Sequence, residues 1–130
     1  MKFQYYKPGI PAHMTQLEAY FLTNEQTMTF KNNLLELWSK ETDRLLVAIK
    51  GKNIVGAAWL RKESNMIYIK YIQVNTPCRG VGRKMIEFLK NEQEVLECRA
   101  VYEAKGFWHK LGFSAKDNYG AMIFNPPIAS

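Results

Sequence analysis

Cysteine, histidine and proline are scarce in this 130-residue chain, at two, two and five. Cys78 and Cys98 form no CxxC pair, and His13 and His109 do not complete a metal-ligand pattern beside them. No metal is expected, and the cysteines read as free thiols of a reducing cytoplasm rather than a disulfide framework. No apolar run approaches the roughly 20 residues that span a bilayer. The start of the chain, Met1-Lys2-Phe3-Gln4-Tyr5-Tyr6, lacks the long apolar core of a signal peptide. The expectation is a cytoplasmic protein with no membrane partner. Repeats, low-complexity tracts and linkers are also missing, and Pro126-Pro127 marks only a frayed end. With 47% hydrophobic and 23% charged residues, residues 1–130 read as one compact domain.

Acid is scarce in one place above all. From Ser64 to Ile86 there is none. Residues 61–90 hold seven bases (Arg61, Lys62, Lys70, Arg79, Arg83, Lys84, Lys90) against Glu63 and Glu87, a local +5 within a net charge of +6. An evenly basic chain would suggest non-specific binding to nucleic acid or membrane. A local excess suggests a single anion site.

What is present is a run of clear periodicities. Lys2 to Tyr6 reads as a strand closed by Pro8-Gly9 and Pro11, and a helix is expected from about Thr15 to Leu22. Phe30, Leu34, Leu37 and Trp38 recur at helical spacing and predict a second helix with a core stripe. Leu45–Ile49 and Ile54–Leu60 form a hairpin about Lys50-Gly51-Lys52-Asn53, and Met66 to Val74 is a longer strand. A tight loop, 75–80, opens a helix whose Val81, Met85, Ile86, Phe88 and Leu89 share a face. Val95–Ala100 is a fifth strand and Glu103–Leu111 a fourth helix. Gly112-Phe113 begins a last hairpin that ends in Ala121–Phe124. The order β-α-α-β-β-β-α-β-α-β-β predicts an antiparallel meander followed by one β-α-β crossover with parallel pairing.

The chemistry concentrates in Pro77-Cys78-Arg79-Gly80-Val81-Gly82-Arg83-Lys84, between a strand and a helix. Two glycines at a helix start let the backbone turn sharply and approach a ligand closely. The first N–H groups of that helix lack intrahelical partners and sit at the positive end of its dipole, which together make a phosphate cradle. The plainer reading is a glycine-punctuated turn into a helix with solvated bases. The motif is neither GxGxxG, since the residue three after Gly82 is Met85, nor a P-loop, since no GKS or GKT is present. A phosphate-bearing cofactor that needs no metal is the better match.

Three segments, in this order, resemble the GCN5-related N-acetyltransferase (GNAT) superfamily. They are the hairpin around Leu46–Ile49 and Ile54–Ala58, the stretch Tyr71-Ile72-Gln73-Val74 followed by Arg79-Gly80-Val81-Gly82, and Ala104-Lys105-Gly106-Phe107-Trp108-His109-Lys110-Leu111-Gly112-Phe113. The last is similar to the family's Ala-x-x-Phe-Tyr-x-x-x-Gly-Phe. The resemblance implies an α/β fold of the α+β type. Its mixed, mostly antiparallel sheet would have six or seven strands, with strands four and five splayed, and there would be about four helices. It implies acetyl-CoA as acyl donor, with the pyrophosphate on the amides of Arg79, Gly80, Val81, Gly82, Arg83 and Lys84. The backbone of Ile72 and Val74 would pair with pantetheine, and Val101, Ala104 and Trp108 would pack on it. A primary amine, on a small molecule or a peptide, would attack the thioester directly, with a strand-four N–H holding the oxyanion. A monomer or homodimer is expected.

The sequence departs from the family pattern at four points. The loop is about two residues short, so the usual Gln or Arg falls on Pro77. The Tyr that often protonates the leaving thiolate falls on Trp108, whose indole N–H is not a useful acid. The usual Asn falls on Val101, and the position of the Glu base in some members falls on Tyr68. Tyr102, Glu103 and His109 flank the last helix, yet the helix dipole explains Glu103, and His109 points away from the expected cofactor face. Cys98 reads as a buried, inert strand thiol. Tyr68 and Gln73 lie nearest the expected reaction centre and are the catalytic candidates. Trp59, Tyr68 and Tyr71 read as core packing or as walls of an acceptor pocket. Two rival readings stand: an acyl-CoA-binding module without efficient catalysis, and a small basic nucleic-acid binder. The local charge and the lack of a basic–aromatic motif disfavour the second.

Overall fold

The computed structural model describes residues 1–7, 10–23, 41–74, 80–100 and 104–127. Ten elements follow in order: β1 (Lys2–Tyr6), α1 (Pro11–Thr23), β2 (Asp43–Lys50), β3 (Asn53–Glu63), β4 (Met66–Val74), α2 (Val81–Lys90), β5 (Val95–Arg99), α3 (Lys105–Lys110), β6 (Ser114–Ala115) and β7 (Ala121–Phe124). The helix expected around Phe30–Trp38 lies outside the described residues. The first helix starts earlier than its apolar pattern suggests, because Pro11, with its fixed φ and no N–H to leave unpaired, suits a first helical position.

The strands make one seven-stranded sheet in the order β1-β2-β3-β4-β5-β7-β6. Every pairing is antiparallel except β4 with β5, the one crossover, which α2 covers. This is the mixed, mostly antiparallel α+β architecture that the element order implies. The two sheet faces are buried separately. On one, α1 sets Leu17 and Tyr20 against Leu45, Val47, Ile54, Ala57 and Trp59. On the other, Val81, Met85, Ile86 and Leu89 of α2 pack on Leu46, Ala58, Leu60, Ile67, Ile69 and Leu96. Each of those four α2 side chains contributes about 2 kcal/mol by leaving water. They fix where the N-terminus of α2 points.

Candidate active site

The site begins with one extra residue in β4. Trp59 pairs with Tyr71 and Leu60 with Ile69, so Lys70 is a β-bulge. Parallel pairing with β5 runs from Met66↔Val95 to Ile69↔Cys98 and stops there. β5 continues with β7, through Arg99↔Ala121. Among the described residues no strand pairs with Lys70–Val74 on that side. The two strands part at the bulge and leave a backbone edge that an extended ligand could complete.

The bulge also shifts the pleat. Ile67 and Ile69 face the α2 core, and so do Ile72 and Val74 beyond it. Tyr71 stacks on Trp59 at 5.5 Å on the opposite face, and Gln73 follows it, since its register partner Ala57 belongs to the α1-side core. Tyr68 lies on that face too, under the Arg61 guanidinium at 4.9 Å.

Just past the end of β4, α2 starts from Gly80. Its φ of 88° is left-handed, a conformation glycine adopts without Cβ strain. The Lys84 N–H donates to the Gly80 carbonyl at 2.9 Å, the first bond of the helix. The amides of Val81, Gly82 and Arg83 therefore have no intrahelical acceptor. Among the described residues no side chain caps them, and the first turn holds no acid, so partial positive charge gathers there. A Cβ on Gly82 would lie 3.4 Å from Phe107 Cζ and 3.9 Å from Val74 Cγ1. The start of α2, the end of β4 and the ring of α3 thus converge on one glycine.

Comparison with known proteins bears on this arrangement. A family profile described as the acetyltransferase (GNAT) domain matches residues 15–121. The chain belongs to the GNAT family. No curated protein sequence matches it. Among solved structures, Tetrahymena GCN5 superimposes with a TM-score of 0.75 at 18% identity, over 95% of this chain and 94% of that one. The catalytic domain of the Tetrahymena GCN5 histone acetyltransferase, in complex with coenzyme A, gives 0.67 at 19% identity, over 98% and 95%. The Bacillus subtilis N-acetyltransferase YlbP, also in complex with coenzyme A, gives 0.65 at 16%, over 96% and 97%. At these identities the likeness is one of fold.

The residues expected at the GNAT cofactor site divide into three groups. Arg79 and Val101 lie outside the described residues, as do Pro77, Tyr102 and Glu103. Ile72, Val74, Gly80, Val81, Gly82, Arg83 and Lys84 line the end of β4 and the start of α2, with the Arg83 and Lys84 side chains exposed. Ala104 and Trp108 belong to the α2-side core, where Trp108 is 5% exposed and packs edge-on against Phe113 at 5.0 Å. Phe107, which the sequence reading passed over, is 40% exposed and is the ring that reaches Gly82. His109 is exposed, as its position one residue after Trp108 predicts. Cys98 is buried, and burial followed by the Glu97 charge pushes its thiol up to about 12, so it stays protonated and inert.

On the face away from α2 a cavity of about 500 Å³ opens where the strands part, lined by Tyr68, Lys70, Tyr71, Arg99, Ala100 and Tyr119. A second cavity, about 410 Å³, lies by α1 and the β2–β3 turn, away from the splay. The sequence left Tyr68 and Tyr71 between core packing and pocket walls, and gave no sign that Lys70, Arg99 or Tyr119 would join them. Trp59 is buried beneath it and donates from Nε1 to Asp43 Oδ2 at 2.9 Å. The same carboxylate oxygen lies 3.6 Å from Lys70 Nζ, which sits 4.3 Å from the centre of the Trp59 ring. The third wall is pinned by Gly120, whose φ is 97° and whose Cβ would fall 2.7 Å from the Ala100 carbonyl oxygen.

The local excess of base corrects one expectation. It does not make a single anion site. Arg61 pairs with Glu63 at 3.0 Å, Lys62 with Glu94, Lys70 with Asp43, and Lys90 with Glu87 at 3.6 Å. Among the described residues of that segment, only Arg83 and Lys84 carry charge without an ion pair, and both stand at the start of α2. Lys70 belongs to the other face.

Proposed function

We propose that the chain is an acyl-CoA-dependent N-acyltransferase that moves acetyl from acetyl-CoA to a primary amine. The observation that carries this is the opening of β4 from β5 directly ahead of an uncapped, acid-free helix start. The β4 edge at Ile72 and Val74 supplies backbone groups for the pantetheine amides. The amides of Arg79 to Lys84 supply donors for the pyrophosphate, with Arg83 and Lys84 adding charge. Gly82, close to Phe107 and Val74, keeps the space between them clear of a side chain. Ala104 and Trp108, with Val101 where the family pattern assigns it, would supply the apolar wall behind.

The acceptor enters from the opposite face, through the cavity beside Tyr68. Its neutral nitrogen attacks the thioester carbonyl carbon, a β4 N–H stabilises the oxyanion, and the C–S bond breaks as the carbonyl re-forms. The amine proton leaves to a base or a water relay, for which Tyr68 and Gln73 are the candidates on that face. Trp108 is buried and carries no useful acid, so the thiolate departs unprotonated or takes its proton from water.

Thermal denaturation with and without acetyl-CoA tests the donor site. Ligand at 100 times its Kd stabilises the fold by about 2.7 kcal/mol, and the absence of a shift with acetyl-CoA and with CoA removes the proposal. Release of free CoA thiol across an amine panel then tests transfer. Binding with no release on any amine leaves the non-catalytic acyl-CoA module as the function. A steep salt dependence of DNA or RNA affinity with no CoA effect would favour the nucleic-acid binder instead.

A further inference from the structure

The cavity beside Tyr68 has a charge character that bears on what amine it takes. Ile69↔Cys98 is the last register pair before the strands part. Both of those side chains enter the α2 core. The next residue on each arm, Lys70 on β4 and Arg99 on β5, lines the cavity on the other face. Two cations therefore flank the fork.

Among the described residues, the carboxylates nearest it are already engaged by other groups. Asp43 has its side chain wholly buried, held by Trp59 Nε1 at 2.9 Å and Lys70 at 3.6 Å. Glu97, the next acid on β5, has an 11% exposed side chain and pairs with Lys116 at 2.8 Å. Asp117 is exposed, but its Oδ1 accepts from the N–H groups of Tyr119 and Ala121, at 2.8 and 3.1 Å; these bonds first, and the Arg99 charge after them, hold its carboxyl below the usual range. Arg99 is exposed, and one guanidinium nitrogen donates to the Tyr119 carbonyl at 2.8 Å. That bond holds the fork in place and leaves its other donors for a ligand, in the planar geometry that suits a carboxylate or phosphate. Tyr68, Tyr71 and Tyr119 add flat, amphipathic walls.

We infer that the acceptor is a small primary amine bearing an acid group, carboxylate or phosphate, and that Arg99 binds that group with Lys70 beside it. This rests on the transferase reading above and names the substrate class of its acceptor side. With Lys70 paired to Asp43, the Arg99 guanidinium is the group left to meet an acid on the acceptor, and that contact aims the nitrogen at the fork while giving a polycationic amine no partner of its own.

Matched pairs that differ only in the acid test this directly: tyrosine against tyramine, phenylalanine against phenethylamine, and phosphoethanolamine against ethanolamine, with spermidine as the polycation. The measured quantity is the ratio of kcat/KM within each pair, at fixed saturating acetyl-CoA. In the unaltered protein at least one acid-bearing member is favoured about tenfold or more, the size of a charge-assisted hydrogen bond. A preference for carboxylate or for phosphate identifies which acid is read. Arg99→Gln brings the ratio near one, whereas Arg99→Lys keeps part of it. The thermal shift with acetyl-CoA, measured on both variants, shows that the fold and donor site persist. Equal use of both members, faster use of spermidine, or an Arg99→Gln variant that slows every amine alike overturns the inference while leaving the transferase reading in place. Loss of the acetyl-CoA shift in the unaltered protein overturns both.

Discussion

Gly82→Ala separates the stability of the fold from the fit of its ligand, because the two should move in opposite directions. Gly82 sits in the first turn of α2 with no left-handed φ to preserve. An added Cβ reaches ordinary contact with Phe107, at 3.4 Å. The backbone needs no shift, and alanine's higher helix propensity adds up to about 1 kcal/mol. The ligand-free protein should therefore melt at the same temperature or up to about 4 °C higher. The same methyl occupies the space between Val74, Phe107 and the free amides of α2. A tenfold loss of acetyl-CoA affinity is about 1.4 kcal/mol. At a concentration 100 times the original Kd, ligand stabilisation then falls from about 2.7 to about 1.4 kcal/mol. Gly82→Val, with γ carbons directed further into Phe107, should lose more. Gly106→Ala is the control: its Cβ meets nothing within 4 Å, so it keeps the full acetyl-CoA shift. Differential scanning fluorimetry over a ligand titration reads all three variants. Undiminished affinity in Gly82→Ala and Gly82→Val would refute the assignment of this helix start to the cofactor.

Gly120→Ala should cost about 2–4 kcal/mol, from a left-handed φ and a Cβ set against the Ala100 carbonyl. Urea unfolding would register this as a lower midpoint at unchanged slope, and a cost under 1 kcal/mol would show that this loop gives way. Asp43→Ala should destabilise by about 2–4 kcal/mol, because Trp59 Nε1 loses its acceptor and Lys70 its counter-charge. Asp43→Asn keeps an acceptor for the indole and should cost less, so equal losses in the two variants would contradict this account. Alkaline pH should weaken the fold. Burial raises the Cys98 thiol from 9.0 to about 12, so between those values the unfolded chain releases a proton that the folded chain keeps. Stability then declines as pH rises above about 9, and Cys98→Ser should flatten that decline. A thiol reagent that labels Cys98 in the native protein at pH 8 would contradict its burial.

Much of this was legible in the residues. β1 and β4 have the limits read from their residues, and the face of α2 is the one marked by Val81, Met85, Ile86 and Leu89. Local pattern carries such elements, since side-chain period and burial coincide. The side proposed for the donor could be read for the same reason: its parts are neighbours in sequence, from Ile72 to Lys84. The side proposed for the acceptor could not. Tyr68 and Lys70 come from one strand, Arg99 from another, and Tyr119 from the last hairpin, and no local signal joins them. The exposed ring of α3 was not legible either: the Trp108 indole is buried against Phe113, and the neighbouring Phe107 is the ring that reaches Gly82.

One signal in β4 was available. Its core-facing residues are Ile67, Ile69, Ile72 and Val74, spaced by two, three and two. A strand with period two cannot hold all four on one face unless one residue is set aside between Ile69 and Ile72. The break in alternation locates the bulge at Lys70 or Tyr71 before any register is known. The bulge in turn accounts for the two-sided site. Without it, Tyr71 and Gln73 would point into the α2 core while Ile72 and Val74 pointed to the opposite face, since a one-residue slip inverts every later side chain. With it, the apolar pair stays under α2, beside the glycine helix start. Lys70 and Tyr71 are turned together into the cavity opposite. The same inserted residue ends the pairing with β5, so one irregularity both opens the fork and assigns a chemistry to each side. The basic segment divides along that line. Arg83 and Lys84 stay unpaired at the helix start, and Lys70 is steadied by a buried carboxylate beside Arg99. A charge excess continuous in sequence is thus split by the sheet, its two parts on the two sides proposed for donor and acceptor.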